Sequence, residues 1–236
     1  MINESRTPEG SVLLYSGGMD SWLINQIIKP DVTLFIRIHT PNNELEYQKI
    51  LKLQKEGKIQ NDLKIVDFDL SRFERPSQNY FLPLRNLHFV TLAAHYGTDI
   101  YLGATGSSTH FDKNLTFADK SADIISYLLS ESGEGPVRIL LPYKDTTKTE
   151  LLKIYLDQGG DIKEAYESTV SCYTPVNDKP CMHCTSCMSK FVAFYNNGYK
   201  FTEKELDNFI DYVENNYEVQ KKDVIKLYER IKADRG

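Results

Sequence analysis

Five short runs rich in Val, Ile, Leu and Tyr punctuate the chain: VLLY (12–15), VTLFIRI (32–38), LKIVDF (63–68), IYLGA (100–104) and VRILL (137–141). Between them lie helix-like stretches at about 21–29, 43–57, 86–97, 118–131 and 147–158. Apolar runs of this length suit strands buried on both faces, and strands alternating with helices imply a parallel sheet, since each parallel pair needs a crossover connection. The expected fold is α/β, a doubly wound parallel five-stranded sheet. Thr147 and Glu150 stand at capping-box spacing at the head of the last helix, and Gly159-Gly160 supplies its stop. Beyond residue 170 the strand runs cease, and helical patterns follow at about 186–196, 202–215 and 220–233. The chain thus reads as an α/β domain over 1–170 and a small helical, cysteine-bearing region over 171–236. SESGEGPVR (130–138) is the expected flexible loop.

A formal charge of −5 disfavours a broad electrostatic grip on nucleic acid, which needs clustered Lys and Arg, so small molecules are the expected partners. No segment reaches the ~18 uninterrupted apolar residues of a membrane helix. The opening MINESRTPEG lacks the basic end and apolar stretch of a secretory signal, so a cytoplasmic address is expected.

The string LLYSGGMDSW (13–22) stops the first strand on small polar residues and then resumes an apolar pattern. A tight turn through Ser16-Gly17-Gly18 into a helix near Asp20-Ser21 gathers main-chain N–H groups into an anion-binding nest, to which the helix N-terminus adds partial positive charge. Ser-Gly-Gly-x-Asp-Ser resembles the pyrophosphate loop of the ATP pyrophosphatases of the nucleotide alpha-hydrolase superfamily. The spacing Gly-x-x-x-x-Gly-Lys-Ser/Thr of the other ATP loop is absent here. The resemblance implies adenylation, in which a substrate oxygen attacks the α-phosphate and pyrophosphate departs. Tyr15, Ser16, Gly17, Gly18, Met19, Asp20 and Ser21 are the candidate ATP and pyrophosphate residues. Asp20 suits either a Mg²⁺ site or a loop-fixing cap.

All four cysteines, Cys172, Cys181, Cys184 and Cys187, fall in one string with spacing Cys-x8-Cys-x2-Cys-x2-Cys. In a reducing compartment this reads as metal ligation. Four thiolates suit one tetrahedral Zn²⁺ with no open position, hence a structural ion, and an iron–sulfur cluster is also compatible. His183 is surplus to four ligands.

Together these features resemble the 7-cyano-7-deazaguanine synthase family of deazapurine biosynthesis, in order over residues 12–195. FLPLRNLHFVTLAAHYG (81–97) is similar to that family's Val-Pro-Gly-Arg-Asn segment, matching at Pro83, Arg85 and Asn86 with Leu84 in place of glycine. PYKDTTKTELL (142–152) matches at Pro142, Lys148 and Glu150, and ESTVSCY (167–173) resembles the approach to the first metal ligand. The resemblance implies catalytic roles for Lys148, Arg85 and Asp20. Arg85 offers planar donors and Lys148 a movable charge, although both also suit solvated helix ends.

Departures cluster where the deazapurine should sit. The family's Asp-Tyr-Gly-Gln is replaced by Ile36-Arg37-Ile38-His39, and Gly-Tyr-Pro-Asp-Cys-Arg by a stretch near 114–121 in which Asp119 is retained. Arg37, His39, Asn86 and Asp119 are the candidate substrate residues, and the loop around 105–117 the candidate lid. The implied reaction activates 7-carboxy-7-deazaguanine with ATP, admits ammonia to give the amide, and uses a second ATP to reach the nitrile, with Mg²⁺ accompanying ATP. A related adenylating enzyme that stops at the amide, or transfers the acyl group to a macromolecular amine, is the alternative. A non-catalytic zinc module that binds nucleic acid or protein is the reading the phosphate loop argues against. The resemblance also implies a homodimer.

Overall fold

The computed structural model describes residues 9–59, 61–75, 81–106, 111–172, 181–215 and 222–235. Two compact units divide between Thr147 and Lys148. The two helices that precede residue 170 therefore group with the C-terminal helices rather than with the sheet.

The first unit is built on strands β1 (Ser11–Leu14), β2 (Val32–Arg37), β3 (Asp62–Asp67), β4 (Asp99–Leu102) and β5 (Arg138–Leu140). All neighbours pair in parallel, in the order β3-β2-β1-β4-β5. Helices α1 (Met19–Ile28), α2 (Pro41–Lys55), α3 (Arg85–Ala93) and α4 (Leu115–Ser130) connect them. Strand alternation divides the core. Val12, Leu14, Leu34, Ile36, Ile100 and Ile139 pack with Val90 and Ala93 of α3 and Ala118 and Ile125 of α4. The intervening residues serve the other face, where Asn25 of α1 donates to Thr33 Oγ1 at 2.6 Å and Tyr47 of α2 stacks on Phe35. Both faces are covered, as a doubly wound sheet requires.

The order reverses at β1, with β2 on one side and β4 on the other. In such sheets ligands bind beyond the strands' C-terminal ends at that switch point. Two loops meet there, residues 15–18 after β1 and 103–106 after β4. Of the expected lid over 105–117, residues 107–110 lie outside those described. Phe111–Lys113 form a short 3₁₀ turn, and Asn114 caps α4 by accepting from Phe117 N at 2.8 Å.

The second unit comprises α5 (Lys148–Asp157), α6 (Ile162–Ser168), α7 (Thr185–Asn196), α8 (Glu203–Asn215) and α9 (Lys222–Arg235). Helix α5 starts directly after Thr147 and stops where Gly159 takes φ +88°, a left-handed value that glycine adopts without strain. A Cβ on Gly160 would stand 2.3 Å from the Tyr155 ring, so the second glycine lets the chain cross that ring. Helix α6 was not expected from periodicity, yet its start is written in the sequence: Asp161 accepts from Glu164 N at 2.6 Å. The core of this unit is aromatic, with Phe191 stacked on Phe201 at 4.1 Å and on Phe209 at 4.5 Å. Val224, Leu227 and Ile231 of α9 close over it.

Candidate functional site

Two features stand out, one in each unit. In the first, β1 ends and the chain turns into α1 through Ser16, Gly17 and Gly18. Gly17 has φ +72°, whereas Gly18 has an ordinary extended backbone at φ −72°, ψ 165°, so only the first glycine is required by conformation. Hydroxyls brace the turn: Ser21 Oγ accepts from Ser16 N at 3.1 Å and donates to Gly18 O at 3.2 Å, and Ser16 Oγ accepts from Gly18 N at 3.3 Å. Gly17 rests on α2, with Ile50 Cγ1 3.4 Å and Glu46 O 3.8 Å from where its Cβ would stand.

Asp20 lies in the first turn of α1 and accepts from Thr105 Oγ1 at 3.3 Å, which ties the loop after β4 to the loop after β1. Gly103 reinforces this junction, since a Cβ there would meet Ser21 at 3.7 Å. The Met19 side chain is buried in the core. Tyr15 is also buried, and its hydroxyl finds no hydrogen-bond partner among the described residues. Burial holds this phenol well above its ordinary pKa.

Arg37 ends β2 and His39 follows two residues later, both facing carboxylates. The Arg37 guanidinium makes a bidentate pair with Glu44, both bonds 2.8 Å, and lies 4.4 Å over the Tyr47 ring. That pairing raises the Arg37 pKa and lowers the Glu44 carboxyl. His39 adopts φ +60° and meets Asp67 at 2.8 Å through Nε2. Asn86 is buried and donates to Asp112 O at 3.1 Å. Asp119 is exposed on α4. Arg85 opens α3, half-buried, behind Leu84, whose φ of +59° keeps the left-handed backbone that a glycine would take freely. Two strained non-glycine residues, His39 and Leu84, thus stand at loops leaving the C-terminal side of the sheet, where strain collects at functional sites. Lys148 opens α5 in the second unit.

One residue that sequence reading missed is Glu46, a half-buried carboxylate on α2 facing Arg85 and Lys113. A charge on the polar stripe of a helix carries no signal of its own in sequence, and only the fold brings it to the glycine turn.

In the second unit, the four cysteine Sγ atoms all lie within 4.8 Å of one another. A tetrahedral ion with bonds of ~2.3 Å sets its sulfurs roughly 3.8 Å apart, so the cluster fits one. Main-chain N–H groups aim at the sulfurs: Cys181 N at Cys172 Sγ (3.2 Å), His183 N at Cys181 Sγ (3.3 Å) and Cys187 N at Cys184 Sγ (3.4 Å). Such donors favour thiolates. Met182 at φ +55° sets the tight turn between Cys181 and Cys184, and His183 itself is exposed. The hydrogen bond with Cys184, then burial, push the Cys187 thiol far up. Four thiolates can share this volume only around a cation.

Lys190, three residues after Cys187, is buried and donates to Tyr166 O at 2.7 Å and Thr169 O at 2.9 Å. It also sits 4.4 Å over the Tyr166 ring. This clamp joins the helix that carries Cys187 to the segment leading into Cys172.

A parallel sheet with a serine–glycine turn at its switch point and a four-cysteine cluster in a helical C-terminal unit define an α/β protein of the PP-loop superfamily. The sequence profile described as Queuosine biosynthesis protein QueC matches residues 36–198, and the chain belongs to that family. The 7-cyano-7-deazaguanine synthase of Archaeoglobus fulgidus is 24% identical over 94% of this chain and 96% of its own length. The 7-cyano-7-deazaguanine synthase 2 of Colwellia psychrerythraea is 26% identical over 79% of this chain and 94% of its own. The 7-cyano-7-deazaguanine synthase of Methanobrevibacter smithii is 31% identical over 53% of this chain and 55% of its own. Among the described residues, no helix is long and apolar enough to cross a membrane.

Proposed function

We propose that this chain is an ATP-dependent ligase that converts 7-carboxy-7-deazaguanine and ammonia to 7-cyano-7-deazaguanine through two adenylated intermediates. The glycine turn at the sheet's switch point carries the reading, because it offers main-chain donors where two phosphates could leave. In the first activation a substrate carboxylate oxygen attacks the α-phosphate, and pyrophosphate departs into the cradle of residues 15–21. Ammonia then displaces AMP. In the second, the amide oxygen takes AMP in the same way, and loss of the C–O bond and two protons leaves the nitrile.

Ser16, Gly17, Gly18 and Ser21 hold pyrophosphate in this scheme, with the main chain of Met19 and the end of β1 at Tyr15 beside them. Asp20 fits a Mg²⁺ carried by ATP, since Mg²⁺ is usually held by one or two carboxylates plus phosphates. Arg85 neutralises developing charge, and Lys148 is assigned a similar role from the family pattern alone. Arg37, His39, Asn86 and Asp119 contact the deazapurine. Zn²⁺ suits the four thiolates, where it would close the fold of the helical unit without entering the reaction. The exposed apolar face of α4 formed by Ile124, Tyr127 and Leu128 supports a homodimer, and the acidic balance supports small-molecule partners over nucleic acid in a cytoplasmic setting.

Purified protein given the acid, ammonium, ATP and Mg²⁺ should release AMP and pyrophosphate and yield nitrile by mass spectrometry. No AMP would reject the scheme. The bidentate Arg37–Glu44 pair favours a second reading, an altered substrate pocket whose product is the amide or an acyl conjugate. Product mass separates these outcomes.

A further inference from the structure

Thr105 stands just after β4, beside the sheet's switch point, and the adenylation scheme gives it no part. It is buried, and its Oγ1 donates to Asp20 Oδ2 at 3.3 Å across 85 residues of chain. The segment that carries it is fixed on both sides. Before it, Ala104 is sealed in the core, and Gly103 runs so close to α1 that a Cβ there would stand 3.7 Å from Ser21 Cβ. After it, Gly106 N donates to Thr146 O at 2.9 Å, which ties this loop to the one that follows β5. A side chain anchored in this way can hold its partner still.

Its partner is the carboxylate suited to the cation that accompanies ATP. Asp20 lies in the first turn of α1, directly after the glycine turn, and a hard carboxylate oxygen is what Mg²⁺ takes from proteins alongside phosphate oxygens. A carboxylate has two oxygens and about four acceptor sites, so one bond from a hydroxyl sets its orientation without exhausting its capacity for a cation. We propose that Thr105 is a positioning residue for adenylation: its hydroxyl fixes the Asp20 carboxylate in the orientation that holds the nucleotide's divalent cation. This rests on the ligase reading above. The rigid loop after β4 thus supplies by side chain what the turn after β1 supplies by main chain, a group set in place before the phosphates arrive.

The test reads metal dependence rather than rate. Calorimetry of α,β-methylene-ATP, which cannot be cleaved between its α- and β-phosphates, gives nucleotide affinity over a series of Mg²⁺ concentrations. Acid-dependent exchange of labelled pyrophosphate into ATP gives the same series for the reaction. Thr105→Val keeps the shape and removes the hydroxyl, so the Mg²⁺ midpoint should rise by about 10–100-fold in both measurements, as for other groups that orient a metal-binding side chain. Thr105→Ser should restore it. In an Asp20→Asn background Thr105→Val should add nothing, because the group it orients is gone. Thr105→Ala serves the same purpose if the valine variant does not fold. A merely structural threonine would lower exchange alike at every Mg²⁺ concentration and leave the midpoint in place, and that result would overturn the assignment. So would failure of serine to restore the midpoint, or additive losses with Asp20→Asn. Absence of exchange in the unmutated protein would overturn the ligase reading, and calorimetry would then decide the role of Thr105 by itself. No binding of the analogue to the unmutated protein would overturn both.

Discussion

Substituting Gly17 separates what its conformation does for the fold from what it does for chemistry. At φ +72° an L-residue costs about 1–2 kcal/mol relative to glycine, and the smaller conformational freedom of unfolded alanine returns about 0.4–1 kcal/mol. No clash adds to this, because the nearest atoms to the new Cβ are Ile50 Cγ1 at 3.4 Å, Ile50 Cδ1 at 3.5 Å and Glu46 O at 3.8 Å. Gly17→Ala should therefore cost about 1 kcal/mol and lower Tm by about 2–4 °C in a chain of this size. Catalysis should suffer far more. If the backbone relaxes toward negative φ, the turn re-aims its main-chain donors away from the proposed pyrophosphate, and each lost donor of this kind costs about 10²–10³ in rate. Thermal unfolding and AMP release measured on the same preparation decide the matter. Gly18→Ala, at φ −72°, carries no such conformational penalty and serves as the comparison for stability. Turnover of Gly17→Ala within threefold of the parent, alongside the expected drop in Tm, would refute the cradle.

Other consequences concern stability and metal. The Glu46 carboxyl is raised in the folded state from 4.5 to about 7, so the folded form binds its proton more tightly than the unfolded chain does. Stability from this group is complete below pH ~4.5 and is lost as pH rises to about 7, by about 2–3 kcal/mol, and urea titrations of parent and Glu46→Gln should diverge over that window. A constant difference across pH would count against the raised pKa. Cys187→Ser, or a strong chelator, should remove about one ion per chain by elemental analysis and speed amide exchange in α7; the visible absorption of an iron–sulfur chromophore would replace zinc with a cluster. Lys190→Met keeps the side-chain length and removes the donor to the carbonyls of Tyr166 and Thr169, so it should cost about 2–4 kcal/mol and weaken metal retention. Unchanged Tm and metal content in that variant would show that the clamp is idle.

The sheet and the cysteine cluster were legible in the sequence because both write themselves locally. Buried parallel strands leave continuous apolar runs, and each of the five lies within a residue or two of its expected bounds. Ligands spaced at Cys-x2-Cys-x2-Cys must converge wherever the turn forms. Helix α6 escaped because its apolar pattern is only seven residues long, too short for periodicity to register, although Asp161 and Glu164 marked its start. Glu46 and Lys190 escaped for a different reason. Both are charged residues on helices, which usually face water, and only tertiary packing reveals that one is desolvated beside a glycine turn and the other is sealed under aromatic rings.

Leu84 shows how a departure from the family pattern can be read once the backbone is known. It stands where the similar segment has glycine, yet it keeps the left-handed φ of +59° and leaves its side chain 64% exposed. Burial of a third of a leucine returns little of the 1–2 kcal/mol that the backbone costs. A chain free to relax this turn would do so by moving Arg85, the next residue, off the start of α3. That it does not relax means packing around α3 holds the turn, with Asn86 anchored to Asp112 O and Val90 wholly buried. The backbone that starts α3 at Arg85 is therefore maintained against a local preference, which is the pattern expected where position matters more than stability. Arg37 and His39 differ in kind, because there the side-chain chemistry itself has changed and new ion pairs with Glu44 and Asp67 absorb it. Backbone geometry is kept at Leu84 while side-chain chemistry differs at the end of β2, so the departures from the family pattern are of two physical kinds, one absorbed by packing and the other by side-chain pairing.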